Sequence, residues 1–394
     1  MVRIILCILF FQAFFSTPVM TQTKPFLVDY SILKSNISKI KNGNFELTEA
    51  LSLLTSSADQ ALSNGPYSVT FKNKVPPSGD KRDFMSVGPY WWPDPAKPDG
   101  LPYIRRDGDV NPERFEINDA EYFKSLCNDI RILTLAYFYT DNRKYADKAI
   151  ELLRIWFVDE QTKMNPNLNY GQAIPGITEG RGIGLIDTRG IADLIDGIQI
   201  LKIKNRLKKD FQNTLYSWFE DYYKWLTTSP LGLDEADEHN NHGTYYDVQA
   251  VSLALFAGQK ERAVKMLEEQ TKGRIESQLK DDGSQPHELA RTLSWGYSQM
   301  NLQGFFELAR LAENVNMDLW NYVSPSGKSI KKAYLWMLPY AEGKTWESKQ
   351  IKPMDISGFV TLSGIAVGKY PDIDVSVFLE KYPEKLDALF VLTH

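Results

Sequence analysis

His242 stands beside two amides in the run Asn240-Asn241-His242-Gly243-Thr244-Tyr245-Tyr246-Asp247, in a chain with only four histidines. Two of the others, His239 and His287, lie nearby in sequence among further amides, carboxylates and tyrosines. Imidazole is the side chain that titrates near neutral pH, so acid–base chemistry is expected here first. Amides beside a histidine suit a site that holds an anionic oxygen and moves a proton. Thr244 and Asp247 have capping-box spacing, and Gly243 permits a turn before them. This reading puts Asn241 and His242 just ahead of a helix N-terminus, where free N–H groups and the helix dipole favour a carboxylate. Asn241 adds a neutral donor that can hold a carboxylate oxygen.

A second constellation runs from Ser284 to Ser298 and contains His287, Glu288, Arg291, Trp295 and Tyr297. Pro286 suits the first turn of a helix, and His287 and Arg291, four apart, would share a face. Tyr297 comes six residues after Arg291, about 120° round an ideal helix, so the two meet at one site only if the backbone bends, with Gly296 the expected place. The third is Ser86-Val87-Gly88-Pro89-Tyr90-Trp91-Trp92-Pro93-Asp94-Pro95. Three consecutive aromatics between prolines cannot all be buried by a regular element; exposed, Tyr90, Trp91 and Trp92 would stack against sugar rings.

Other chemistries can be drawn from the same residues. A zinc hydrolase would gather His239, His242 and His287 with Asp237 or Glu238. However, His239 and His242 are separated by two amides and lack the helical His-Glu-x-x-His pattern. An inverting glycoside hydrolase would use an acid–base pair such as Asp234 and Glu288. A non-catalytic glycan-binding protein would need the aromatic loop alone and would leave the His/Tyr constellation without a purpose.

The elements that must position these groups read as amphipathic helices. Tyr122, Leu126, Ile130, Leu133 and Tyr137 recur at helical spacing in Ala120 to Tyr139, and Ala149, Leu152, Leu153 and Trp156 do so in Tyr145 to Val158. Further helical runs are expected over 185–201, 207–227, 245–256, 261–279, 286–314, 329–340 and 375–388. Short polar turns such as Thr140-Asp141-Asn142 join neighbouring runs, which implies antiparallel hairpins and an all-α fold, an (α/α) toroid. Two long segments, Asn73 to Glu113 and Asn165 to Arg181, break the pattern; loops of this length in a compact domain are usually functional or disordered, and their aromatics favour ordered, functional ones.

The ends and the charge narrow the setting. Arg3 followed by an apolar run from Ile4 to Phe15 and small residues near Thr21 reads as a secretory signal over residues 1–21, leaving 22–394 as a single domain. The apolar run is too short to span a bilayer, so no membrane association is expected after its removal. Cys127 is then the one remaining cysteine, which allows no intramolecular disulfide. A periplasmic or secreted bacterial monomer fits. The formal charge of −5 argues against general nucleic-acid affinity. It leaves room for a polyanionic ligand, because local basic residues set the potential in a cleft. Lys72, Lys74, Lys81 and Arg82 cluster loosely, as do Arg105 and Arg106; solvated surface charge is the simplest reading of both groups.

The stretches 240–247, Glu288-Leu-Ala-Arg-Thr-Leu-Ser-Trp-Gly-Tyr297 and Gly88-Pro-Tyr-Trp-Trp-Pro-Asp-Pro95 resemble, in order, the alginate lyase superfamily of α/α-toroid polysaccharide lyases, and most of all polysaccharide lyase family 38. The resemblance extends from about Lys72 to Leu311. It implies β-elimination on an anionic uronate polysaccharide, without a metal or other cofactor, with Asn241, His242 and Tyr297 catalytic and Arg291 assisting. Alginate is the first expectation for substrate and glucuronan the second. Tyr90, Trp91, Trp92, Gln172, Arg181, Tyr246, His287 and Glu288 are the expected substrate contacts.

Overall fold

The computed structural model describes residues 23–394; the leader read at residues 1–21 lies outside them. Four helices follow one another as an inner row: Asp119–Thr140 packs on Ile191–Ile203, that helix on Asn241–Phe256, and that in turn on Ser294–Glu313. Arg143–Phe157 lies behind the first of these, Lys209–Thr228 and Lys260–Met266 behind the third, and Ile330–Ala341 behind the fourth. The result is the expected all-α toroid.

Burial explains the arrangement. In the 16-residue helix Asn241–Phe256 every residue except His242 is buried. One core, built on Leu126, Trp156, Trp218 and Phe219, takes Tyr246, Ala250, Leu253 and Phe256 from this helix. A second, built on Phe305, Phe306, Tyr334 and Phe359, takes Tyr245, Val248, Val251 and Leu255. The helix is the seam between the two cores, so it needs apolar residues all round and shows no amphipathic stripe. Its buried polar residues find partners: Asp247 pairs with Arg274 at 2.9 Å, and Gln249 accepts from Thr188 at 2.7 Å.

Midway along the second inner helix, Asp196 accepts the N–H groups of Leu27 and Val28 at 3.0 and 2.9 Å, while Arg310, near the end of the fourth, donates to the Leu27 carbonyl at 2.9 Å. The N-terminal segment thus ties the second inner helix to the fourth. Lys72 is a buried anchor rather than surface charge: its ammonium meets Asp119 at 2.8 Å and the carbonyls of Val69, Lys81 and Asp83 at 2.7–2.8 Å, fastening the long aromatic loop to the first inner helix.

The two long non-helical segments are ordered and pair with each other. Met85–Val87 runs parallel to Tyr170–Ala173, and Trp91–Trp92 forms a short antiparallel ladder with Ile104–Arg105.

Several expected helices differ in the structure. The run expected over 286–314 is two helices, Pro286–Leu289 and Ser294–Glu313. The break at 290–293 arises because Lys349 and Ile351 take the backbone groups of Ser294 and Thr292. The run over 261–279 contains a π-helical turn, Leu267–Thr271. The run over 375–388 ends at Glu380, and Pro383 opens a separate 3₁₀ turn where its missing N–H prevents continuation. Tyr30–Lys41, Phe45–Ala61 and Ser357–Lys369 are helices the periodicity did not single out.

Candidate active site

The four inner helices start on the same side, and their first turns line one cleft of about 660 Å³ through Ala120, Gly190, Asn241 and Tyr297. Their N-terminal dipole ends therefore converge on it. The long loops supply the opposite wall through Tyr90, Trp91, Arg105, Gln172 and Arg181. Cations outnumber carboxylates along the lining, so a protein of net charge −5 holds an electropositive cleft.

Asn241 and His242 are the first two residues of their helix, capped by Asn240, whose side chain accepts the His242 N–H at 2.9 Å. The helix therefore begins earlier than the expected capping box, and Thr244 and Asp247 are buried inside it. Thr244 donates to Gln278 at 3.0 Å, and Asp247 holds Arg274. Gly243 does not make a turn; it makes room, because a Cβ there would lie 2.1 Å from the Glu238 carbonyl oxygen and 2.2 Å from Arg274.

Each member of the pair is held from beneath by a buried carboxylate. Glu288 accepts the Asn241 backbone N–H at 2.6 Å and its side-chain Nδ2 at 2.9 and 3.1 Å. A carboxylate only accepts, which assigns the amide orientation with Nδ2 towards Glu288. Burial pushes Glu288 above the usual carboxylate range, opposed by the Asn241 donors. His242 Nδ1 lies 3.0 Å from Glu235 Oε1. The acceptor fixes the neutral tautomer with its proton on Nδ1, which leaves the lone pair on Nε2. Burial disfavours the imidazolium, but the Glu235 carboxylate and its hydrogen bond outweigh it and raise the His242 pKa.

Arg291 and Tyr297 meet because of the break between the two helices, and Gly296 is not the bend. Arg291 lies in the connecting turn, donates Nη2 to Tyr297 Oη at 2.8 Å, and sits 3.8 Å from the centre of the Tyr297 ring. Asp107, from the aromatic loop, accepts from the same guanidinium at 2.7 and 3.3 Å and from Thr292 N and Oγ1 at 3.2 and 2.9 Å. Tyr90 Oη lies 2.6 Å from Tyr297 Oη. Burial and Tyr90 raise the Tyr297 pKa above its usual value although Arg291 pulls it down, so Tyr297 rests as the neutral phenol.

The structure brings Asn241, His242, Arg291, Tyr297, Tyr90, Trp91, Gln172 and Arg181 to this one cleft. Gln172 has a left-handed backbone (φ 47°) and is gripped by Arg181, which donates to its carbonyl at 2.9 Å and its side-chain oxygen at 3.1 Å. Burial, with Arg105 nearby, lowers the Arg181 pKa to about 10, still cationic at neutral pH. Four expected contacts sit elsewhere. Tyr246 is in the core, its hydroxyl 3.4 Å from the Leu226 carbonyl. Glu288 lies under Asn241. Trp92 turns its Nε1 to the Asp109 carbonyl, with Arg106 over its ring. His287 packs its ring against His239 on the exposed surface, 4.4 Å between centres, so the three histidines do not assemble round one point. Among the described residues no group of three or more His, Cys, Asp or Glu is placed to hold a metal ion. Asp107 and Glu235 escaped the sequence reading: their roles come from contacts 184 and 7 residues away. The Arg105–Arg106 cluster was the signal beside Asp107; nothing local marks Glu235.

The alginate lyase family model matches residues 68–346. A crystal structure of an alginate lyase from Bacteroides ovatus is 36% identical, covers 88% of this chain and 93% of its own, and superposes with a TM-score of 0.83. Alginate lyase A1-III from Sphingomonas species A1 shares the fold at 16% identity, with 82% and 79% coverage and a TM-score of 0.55. A substituted form of A1-III complexed with a tetrasaccharide matches at 15% identity, with 88% and 89% coverage and a TM-score of 0.58. No curated protein matches the sequence. With the family model spanning the cleft and both catalytic-type helices, and the Bacteroides enzyme matching nearly the whole fold, the chain belongs to the alginate lyase family.

Proposed function

We propose that the protein cleaves a 1,4-linked polyuronate, alginate before glucuronan, by β-elimination without a metal cofactor. One observation carries this reading: an amide, an imidazole, a guanidinium and a phenol converge on a single cationic cleft. The C5 proton of a uronate is hard to remove while its carboxylate is ionised. Asn241 Nδ2 and the unengaged Nη1 of Arg291 would withdraw charge from that carboxylate and stabilise the enolate-like intermediate, often the largest catalytic contribution. Breaking the C4–O bond then leaves an unsaturated sugar, and Tyr297, protonated at rest, delivers a proton to the departing oxygen.

The base follows the substrate. In a guluronate the C5 proton lies opposite the leaving oxygen, and His242 Nε2 would take it. In a mannuronate the two lie on one side, and Tyr297 would serve as base and then acid. The Arg291 Nη2 donor at 2.8 Å supports that second assignment, since it can stabilise a transient phenolate. The reading includes export to the periplasm or beyond and action as a monomer.

Incubation with polymannuronate, polyguluronate and glucuronan, followed by ultraviolet absorbance, tests the reading. Absorbing product should form in the presence of chelator, and Tyr297→Phe should lower kcat by about 10²–10⁴-fold. Saccharides released without the absorbance would indicate hydrolysis and sink the proposal.

A further inference from the structure

Glu235 is the most anomalous group near the cleft. Its side chain is fully buried at the end of the short helix Pro230–Ala236; Oε1 meets His242, and Oε2 has no hydrogen-bond partner. A buried carboxylate with an unpartnered oxygen is a poor device for stabilising a fold, because desolvation costs more than one hydrogen bond returns. An apolar side chain of similar volume would serve packing better. The carboxylate is therefore placed where only a chemical role accounts for it.

We propose that Glu235 is a positioning residue for the elimination: it holds His242 with a proton on Nδ1 and Nε2 open to the cleft, and stabilises the imidazolium formed when Nε2 gains a proton. This rests on the lyase reading above. On a guluronate, where His242 is the base, the proton taken from C5 forms a new N–H bond at Nε2 while the C–H electron pair moves into the enolate. Nδ1 keeps its proton, and Glu235 stays an ionised acceptor. Triads that pair a carboxylate with a catalytic histidine use the same logic. The surroundings reinforce it. Glu238 and Glu288 also face His242 and favour its charged form; burial, with Glu238 and Asp234 adding like charge, raises the Glu235 pKa, and the contact with His242 is what opposes that rise. Arg181 and Tyr222 also feel the Glu235 charge.

The test uses Glu235→Gln, Glu235→Asp and His242→Ala in the full chain, with kcat, KM and a pH profile on polyguluronate and a thermal midpoint for each. Glu235→Gln keeps an oxygen for Nδ1 but loses the charge. Its kcat should fall about 10²–10⁴-fold with KM changed by less than about threefold, and its thermal midpoint should hold or rise. The limb of the pH profile set by His242 should move to lower pH by about one unit or more, because the carboxylate that raises the imidazole pKa is gone. Glu235→Asp should recover part of kcat. Added to His242→Ala, Glu235→Gln should cost little more, since it acts through the ring. Wild-type kcat with an unmoved limb in Glu235→Gln would overturn the proposal, as would full additivity with His242→Ala. So would a loss of activity that merely tracks a lower thermal midpoint. Failure of the lyase reading would appear instead in the wild type, as the absence of unsaturated product.

Discussion

Asp107 offers the sharpest test of whether Arg291 belongs to the working site. It spans from the aromatic loop to the turn between two helices, and its carboxylate accepts five hydrogen bonds, two from the Arg291 guanidinium, two from Thr292 and one from Arg105. Asp107→Asn preserves shape but removes the charge and turns an acceptor oxygen into a donor facing other donors. Truncating one partner of a buried ion pair typically costs about 3–5 kcal/mol, because the other charge is stranded. Here both side chains remain about 20% exposed, so solvent recovers part of that, and about 2–3 kcal/mol is expected. The same loss frees Arg291 from its place over the Tyr297 ring. If that geometry serves the transition state, kcat/KM should drop by about 10–100-fold, or about 1.4–2.8 kcal/mol. Chemical denaturation with a denaturant midpoint, beside ultraviolet kinetics on polymannuronate, measures both. The Arg291 pair also holds the Asp107 carboxyl below its usual range against the opposing effect of burial. A depressed folded-state pKa gives stability that is fully present above the ordinary value near 4 and lost as pH falls through the folded value. The wild type and Asp107→Asn should therefore converge in stability in acid. A variant with unchanged kcat/KM would refute the idea that Asp107 and Arg291 shape the reaction.

Two further outcomes follow. Tyr246→Phe should keep kcat/KM within about twofold and cost under about 1.5 kcal/mol of stability, since its hydroxyl makes one long contact in the core; a large fall in kcat/KM would return Tyr246 to the substrate contacts. Glu307, pushed up to about 8 by burial and by Asp193, is held protonated in the folded chain, whereas the unfolded chain ionises it near the ordinary value of about 4.3. The wild type should therefore lose stability as pH rises between those values, and the thermal midpoint of Glu307→Gln should gain on it from pH 5 to pH 8. A gap that stays constant would rule this out.

How much of this was legible in the sequence depends on the range of the interactions. The helical periods of 119–140, 143–157 and 209–228 are local and showed plainly, as did the turns between them. The helix carrying Asn241 did not show its first turn. A run of Asn, Asn, His and Gly reads as a turn unless one knows that Glu288, 47 residues on, accepts the first N–H. The same holds for Arg291 and Tyr297: ideal helical geometry sets them apart, and only the strand-like pairing of 292–294 with 349–351 turns them to one place. Tyr246 misled for the opposite reason. Its neighbours in sequence are functional in type, yet a helix buried on all sides sends a tyrosine into the core as readily as into a cleft.

The helix between the two cores has a consequence for how this protein can fail. Asn241 and His242 begin an element whose other residues are shared by both halves of the interior. Such a helix has no slack: packing lost in either half reaches Asn241 and His242 through the same backbone. A weakening substitution far from the cleft is thus transmitted to activity as directly as one beside it. The aromatic hairpin lies outside both cores and is tied to the frame through contacts such as those of Asp107. Change in what the enzyme accepts is open to that hairpin, while change in what it does to its substrate is open only to a chain that keeps its whole interior intact.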